Sequence, residues 1–321
     1  MGEMNKQIRM AAFSATLFAI GLSWAAPEVV GQTRFRAGVD VVALSVAVSD
    51  GQNRFVSGLS AADFTIVEDG VPQEVTFFSA TPVPMDLALL LDTSASMADK
   101  MSIVHEAATG FVSSAKPGDR VTIVDIKDGV KVLHPLDEDL DGARAAIRST
   151  SARGGTALYN GLYMTLKEMV KQRRNNGEVR RQALLVLSDG DDTASLVGFD
   201  DVMEVAKQSD IAIYTITLRT DLQRLLANNK TLAVPGEFAM RALAQETGAR
   251  AFFPIAAAEL TGIYGTIANE LASLYSLGYT STNPARDGAY RRVIVKVGRP
   301  DIRIRTRTGY VASAGHPLGT R

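Results

Sequence analysis

Three short stretches carry residues whose types and spacing could do chemistry. LLLDTSASM, residues 89–97, ends an apolar run with Asp92 and then sets hydroxyls at alternate positions, Ser94 and Ser96. RGGTALYNG, residues 153–161, brings Thr156 in behind two glycines. LVLSDGDD, residues 185–192, ends a second apolar run with Asp189. Two carboxylates and three hydroxyls supply only oxygen, and oxygen-only sites favour hard cations such as Mg2+, Mn2+ or Ca2+. Three neutral hydroxyls would position such an ion without cancelling its charge. The aspartates can then act largely through water, and a position stays open for a carboxylate from another molecule.

Enzymatic readings find less support. A haloacid-dehalogenase-like phosphatase needs a second carboxylate two residues after the strand-end aspartate, and that position is Ser94. A serine hydrolase needs a base for Ser94 or Ser96, and the G-x-S-x-G turn is missing. Of the three histidines, His105 borders the apolar face of a helix, His316 lies near the C-terminus and His134 ends a strand, where a structural role is the simpler reading. No H-E-x-x-H or G-x-x-x-x-G-K-[ST] occurs, so zinc-peptidase and P-loop chemistry lack their residues. Gly154 and Gly155 without that lysine are read as a bend that lets Thr156 approach. Asp191 and Asp192 are read as a solvated acidic loop, with a second cation as the alternative.

The elements that must position these residues follow from periodicity. MDLALLLD, RVTIVDI, QALLVLSDG and IAIYTITL are apolar runs suited to strands covered on both faces. Between them lie stretches with helical spacing, such as Met101, Val104, Ala108 and Phe111, or Leu158, Leu162 and Met169. Repeated strand–helix alternation over 84–280 predicts a doubly wound, mostly parallel α/β sheet between two helical layers. Ligands of such sheets sit outside the carboxyl ends of the strands, where Asp92 and Asp189 fall.

Both flanks read as β. In 26–83, VVALSVAVSD alternates, and DFTIVEDGVPQEVTFF reads as two strands around Asp69-Gly70, with Pro72 marking an edge. In 281–311, YRRVIVKVG and DIRIRTRTGY alternate, the second with Arg303, Arg305 and Arg307 on one solvated face. Neither flank has the strands to close a core, so the two are predicted to pair, with the α/β region inserted between them. Residues 312–321 read as a disordered tail.

At the N-terminus, Lys6 and Arg9 precede an apolar stretch from Met10 to about Trp24, and Ser23 and Ala25 sit at small-residue positions. This is the pattern of a signal peptide over residues 1–25, too short for a span of about 20 apolar residues. The mature chain is expected to be periplasmic or secreted, without a membrane span. The chain has 321 residues, no cysteine and a formal net charge of −1. Disulfides and thiolate sites are excluded, and nothing attracts nucleic acid across the whole chain.

D-x-S-x-S after a strand, Thr156 in a Gly-Gly-Thr loop and Asp189 ending LVLSDG together resemble the von Willebrand factor A (vWA) domain and its metal-ion-dependent adhesion site. The resemblance covers roughly 84–280. It implies a Rossmann-like vWA fold, metal contact through Ser94, Ser96 and Thr156, and Asp92 and Asp189 bound directly or through water. GLSAADFTIVEDG, YSLGYTSTN and RTRTGY are similar to vWA-related proteins of Acidobacteria. The expected function is a non-enzymatic adhesion module that uses Mg2+, or Mn2+ or Ca2+, to grip an Asp or Glu of a protein partner. The alternative is a metal-independent scaffold working through the flanking β domain.

Overall fold

The computed structural model describes residues 41–176, 180–218 and 235–312. The signal segment at 1–25 and the tail beyond Ala312 lie outside the described residues. Four strands come first: β1 (Val41–Ser49), β2 (Phe64–Glu68), β3 (Val71–Gln73) and β4 (Phe77–Ser79). The inserted region then runs β5 (Met85–Asp92), α1 (Met101–Val112), β6 (Arg120–Ile126), β7 (Val130–Asp137), α2 (Leu140–Arg148), α3 (Leu158–Asn176) and β8 (Arg181–Ser188). It continues with α4 (Phe199–Ser209), β9 (Ala212–Thr217), α5 (Pro235–Glu246), β10 (Ala251–Phe252) and α6 (Leu260–Ala272). The last strands are β11 (Tyr275–Thr280), β12 (Tyr290–Val297), β13 (Arg303–Arg305) and β14 (Gly309–Val311).

The inserted region is the predicted doubly wound sheet, in the order β10-β9-β8-β5-β6-β7. Every neighbouring pair is parallel except β6 with β7. Because successive side chains of a strand point to opposite faces, one apolar run feeds two cores. Leu87, Leu89 and Leu91 of β5 pack with α1, α2 and α6, including Phe111, Ile147 and Tyr264. Ala88 and Leu90 pack on the other face with Leu162 and Leu166 of α3, Val202 of α4 and Leu243 of α5. Fully buried strands need this continuous Leu/Val/Ile composition.

The flanks do pair, and their strands interleave. One sheet is ordered β13-β1-β11-β4 and the other β14-β12-β2-β3. They face each other across a separate core that includes Leu44, Val46, Ile66, Tyr279 and Val295. β11, at the end of the stretch read as α/β, pairs antiparallel with β1 and β4 of this sandwich. Residues of the three flank motifs meet on one buried carboxylate. Glu68 accepts hydrogen bonds from Tyr279 Oη (2.7 Å), Tyr310 Oη (2.9 Å) and Ser281 Oγ (2.5 Å). The Asp69-Gly70 hairpin forms as read, with φ of 46° and 88°, both left-handed as a two-residue turn between twisted strands requires. β3, with Pro72, is an edge strand.

DIRIRTRTGY departs from its reading as one strand with a solvated basic face. It breaks into β13, which joins β1, and β14, which joins β12 in the opposite sheet. Only Arg303 of its three aligned arginines is exposed. Arg305 makes a two-pronged contact with Glu270 of α6 (2.8 and 2.7 Å). Arg307 pairs with Asp210 and donates to Ala43 O at 2.8 Å. The cause lies outside the segment: Glu270 is fully buried, and a buried charge must be paired.

Gly248 marks the same junction between sandwich and α/β region. It follows α5 at φ +78°, and a Cβ there would lie 2.2 Å from the carbonyl carbon of Thr306. Gly248→Ala would add left-handed strain to a backbone clash. It is expected to cost about 2–4 kcal/mol, read as a lower urea midpoint with unchanged slope. A loss under about 1 kcal/mol would show that the junction relaxes freely.

Candidate metal centre

Register delivers the first residues. Leu91 of β5 lies opposite Leu187 of β8, so Asp92 is level with Ser188 and Asp189 follows just beyond the sheet edge. Asp92 is fully buried. Its Oδ1 accepts from Ser94 N at 2.9 Å and its Oδ2 from Ser188 Oγ at 2.6 Å. Ser94 is extended and caps a short 3-10 turn, Ala95–Lys100. The alternate spacing brings Ser94 Oγ and Ser96 Oγ to 3.0 Å, and Ser96 Oγ donates to Asp189 Oδ2 at 2.5 Å. Ser94 and Asp189 are each 2% exposed, whereas Ser96 is exposed. Four of the five residues singled out in the sequence therefore form one hydrogen-bonded chain that opens to solvent at Ser96.

Thr156 is joined to them through backbone. Ala95 N donates to Gly154 O at 3.0 Å, and Arg153 N to Thr93 O at 2.9 Å. Gly154 adopts φ +70°, and the Asp128 carboxylate fills the space of its missing Cβ, with atoms within 2.5 Å of that position. Asp128 Oδ1 also accepts from Gly155 N at 2.6 Å. On the other side Thr156 N donates to Thr193 Oγ1 at 2.9 Å, and Thr156 O accepts from Thr193 N and Ala194 N. The bend read from the two glycines is present. Thr156 is 3% exposed, and among the described residues its hydroxyl makes no hydrogen bond to the other four.

The electrostatics of this edge are unbalanced. Burial pushes the Asp92 carboxyl up to about 6, and the nearby Asp189 charge adds to the rise, against hydrogen bonds from Ser188 and Ser94. Neither Asp92 nor Asp189 makes an ion pair with Lys, Arg or His among the described residues. Lys100, the buried cation of the same turn, donates instead to Ser96 O at 3.1 Å. Among the described residues no group of three or more His, Cys, Asp or Glu side chains could hold a metal. The donors present are two carboxylates and three hydroxyls, all oxygen, and that set fits a hard divalent cation.

Several residues at this edge escaped the sequence reading. Ser188 holds Asp92. Thr93 Oγ1 donates to Asp125 Oδ1 at 2.5 Å, and Lys127 Nζ lies 3.0 Å from Asp125 Oδ2. Asp192 is not merely a solvated acid: its Oδ1 accepts from Tyr159 N at 3.2 Å in the first turn of α3 and from Ser195 Oγ at 2.6 Å. A carboxylate on the free N–H groups of a helix start is stabilising there. The histidines stay away from the edge chemistry. His134 Nε2 meets Asp137 Oδ1 at 2.8 Å and His105 Nε2 meets Thr150 Oγ1 at 2.7 Å.

A mostly parallel sheet between two helical layers, with hydroxyls and carboxylates gathered at its carboxyl edge, defines a Rossmann-like α/β domain. Residues 87–192 match the family described as von Willebrand factor type A domain, and the inserted region has the α/β fold of such domains. A von Willebrand factor type A protein from Catenulispora acidiphila shares the fold at 12% identity and a TM-score of 0.50, over 90% of this chain and 78% of that one. The proximal thread matrix protein 1 of the mussel byssus, with a zinc-occupied MIDAS motif, aligns at 15% identity and a TM-score of 0.48 over 60% of this chain. The chain spans about half (49%) of that protein's length. The vWF domain of the type V pili tip protein Mfa5 from Porphyromonas gingivalis aligns at 15% identity and a TM-score of 0.46, over 59% of this chain and 95% of that one. No curated protein matches the chain. Among the described residues no helix is long and apolar enough to cross a membrane.

Proposed function

We propose that Ser94, Ser96 and Thr156, supported by Asp92 and Asp189, hold a divalent cation, Mg2+ or in its place Mn2+ or Ca2+. On this reading the chain is an exported, non-enzymatic binding module that grips an Asp or Glu of a protein partner. The observation that carries the reading is the pair of carboxylates at 0% and 2% exposure with no cationic partner among the described residues. Buried charges are paired or coordinate metals, and among the described residues the groups hydrogen-bonded to these two are hydroxyls and backbone N–H. A bound ion would supply the missing positive charge and a Lewis-acidic position for a partner's carboxylate oxygen. Exposure at Ser96 leaves that position reachable. Export follows from the basic, apolar and small-residue sequence of residues 1–25, which predicts a periplasmic or secreted location.

Calorimetric titration of the full chain with Mn2+ tests the site. Wild type is expected to show saturable uptake that EDTA reverses. Thr156→Ala removes a hydroxyl that makes no hydrogen bond to the rest of the site, so it should weaken uptake at least about 10-fold without lowering thermal stability in EDTA. Absence of saturable uptake by wild type would remove the metal reading and leave the sandwich as the carrier of function.

A further inference from the structure

Ser188 belongs to no part of the D-x-S-x-S, Thr and Asp pattern, yet it touches both loops that carry carboxylates. It ends β8, is 1% exposed and stands level with Asp92. Its hydroxyl donates to Asp92 Oδ2 at 2.6 Å and accepts from Gly190 N at 3.0 Å. A hydroxyl has one proton to give and lone pairs to receive with, so a single atom spans from the first loop's carboxylate to the second loop's backbone. Asp189 lies between those two attachment points in the chain. Asp92 Oδ1 is already held by Ser94 N, so Ser188 supplies the second of two fixed points and sets the plane of the carboxylate. The Gly190 N–H has its acceptor only in this hydroxyl among the described residues. Gly190 itself is turned at φ +87° against Gly236 of α5.

We infer that Ser188 is a positioning residue of the metal centre, fixing the Asp92 carboxylate and the Asp189–Gly190 turn in one arrangement before an ion arrives. The inference rests on the proposed metal site. Groups that orient metal ligands typically change affinity 10–100-fold when removed, because the site must otherwise find its geometry at the moment of binding.

Thr217 provides a matched control. It lies opposite Ser188 in the register of β8 and β9, is 1% exposed, and its Oγ1 has no hydrogen-bond partner among the described residues. Deleting its hydroxyl perturbs the same buried strand end without touching Asp92. The full chain and its Ser188→Ala, Ser188→Thr and Thr217→Val variants would be titrated with Mn2+ alone, with melting in EDTA alongside. Ser188→Ala is expected to bind Mn2+ at least about 10-fold more weakly, Ser188→Thr to recover most of that loss, and Thr217→Val to bind as wild type. Melting temperatures in EDTA should not follow the order of affinities. Equal affinity of Ser188→Ala and wild type would overturn the positioning role and leave the metal site standing. Equal weakening by Ser188→Ala and Thr217→Val would overturn it too, by reducing the effect to loosened packing. Wild type without saturable uptake would overturn the metal site and this role together.

Discussion

Arg305→Ala is expected to lower the unfolding free energy of the full chain by about 3–5 kcal/mol. The loss comes from the charge that stays behind. Glu270 is fully buried on α6, where Oε1 accepts from Tyr214 Oη at 2.9 Å and from Arg305 Nη1 at 2.8 Å, and Oε2 from Arg305 Nη2 at 2.7 Å. Removing the guanidinium strands a carboxylate in a space closed to water. Arg250, 3.9 Å from Oε2, is too far for a good hydrogen bond and offsets only part of the loss. Removing both charges together, as Arg305→Met with Glu270→Met, should restore most of the stability, because replacing a buried pair with apolar side chains is often neutral. Urea unfolding followed by far-ultraviolet circular dichroism reads both. A single variant that loses less than about 1 kcal/mol would show that the contact behaves as a surface pair and that the junction rests on apolar packing.

That contact also shows why part of the fold was hidden from the sequence. The α/β region was legible because its signals are local. The eight residues of β5 need no partner to announce burial on both faces, and Asp69-Gly70 needs only its neighbours to declare a hairpin. DIRIRTRTGY looked equally local, with Ile and Arg alternating evenly through the place where the strand breaks. Its break is imposed from afar, by Glu270 on α6 and by Asp210 after α4. Backbone alternation specifies two faces but not what covers each of them. β11 was misleading for a related reason, since an apolar strand following α6 continues the strand–helix rhythm. Its partners, β1 and β4, lie about 230 and about 200 positions away in the chain. Strand counting did capture the sum: two incomplete β segments had to complete each other.

The candidate site was legible to the depth of its side-chain types. Asp92, Ser94, Ser96 and Asp189 meet as their spacing suggested, and Thr156 arrives on the expected glycine bend. The residues that lock them in place were not legible, because each acts through a contact between different loops. Ser188 was the nearest to being found. It is the one hydroxyl in LLVLS, and parallel register places the residue before Asp189 beside Asp92. Asp125 and Asp128 gave no such signal. Asp125 reaches Thr93 from the end of β6 and Asp128 reaches Gly154 from the loop after it, and nothing in IVDIKDG fixes those meetings. Asp192 has a sequence cue in retrospect, as an acid that reaches the start of a helix. That helix is α3, however, which begins more than 30 residues earlier.

Asp92→Asn is expected to separate stability from metal binding with opposite signs. Without metal, wild type keeps a carboxylate that burial has pushed from 3.8 to about 6. At neutral pH the ionised form is therefore disfavoured by roughly 3 kcal/mol relative to the unfolded chain. The amide carries no charge, is nearly the same size, and can still accept from Ser94 N while its NH2 faces the Ser188 hydroxyl. In EDTA the variant should then be more stable than wild type, by about 1–3 kcal/mol once an imperfect hydrogen bond is allowed for. Mn2+ should reverse the order. Binding only the native state at 100 times its dissociation constant stabilises by about 2.7 kcal/mol, and only wild type keeps both carboxylate charges that attract the ion. Melting curves of the two proteins with and without Mn2+ give four temperatures that must cross. A variant less stable than wild type in EDTA, and raised equally by Mn2+, would mean that Asp92 serves packing and that any ion binds elsewhere. The crossing would mean that the fold tolerates an unfavourable buried charge at this edge because the charge is used on a cation.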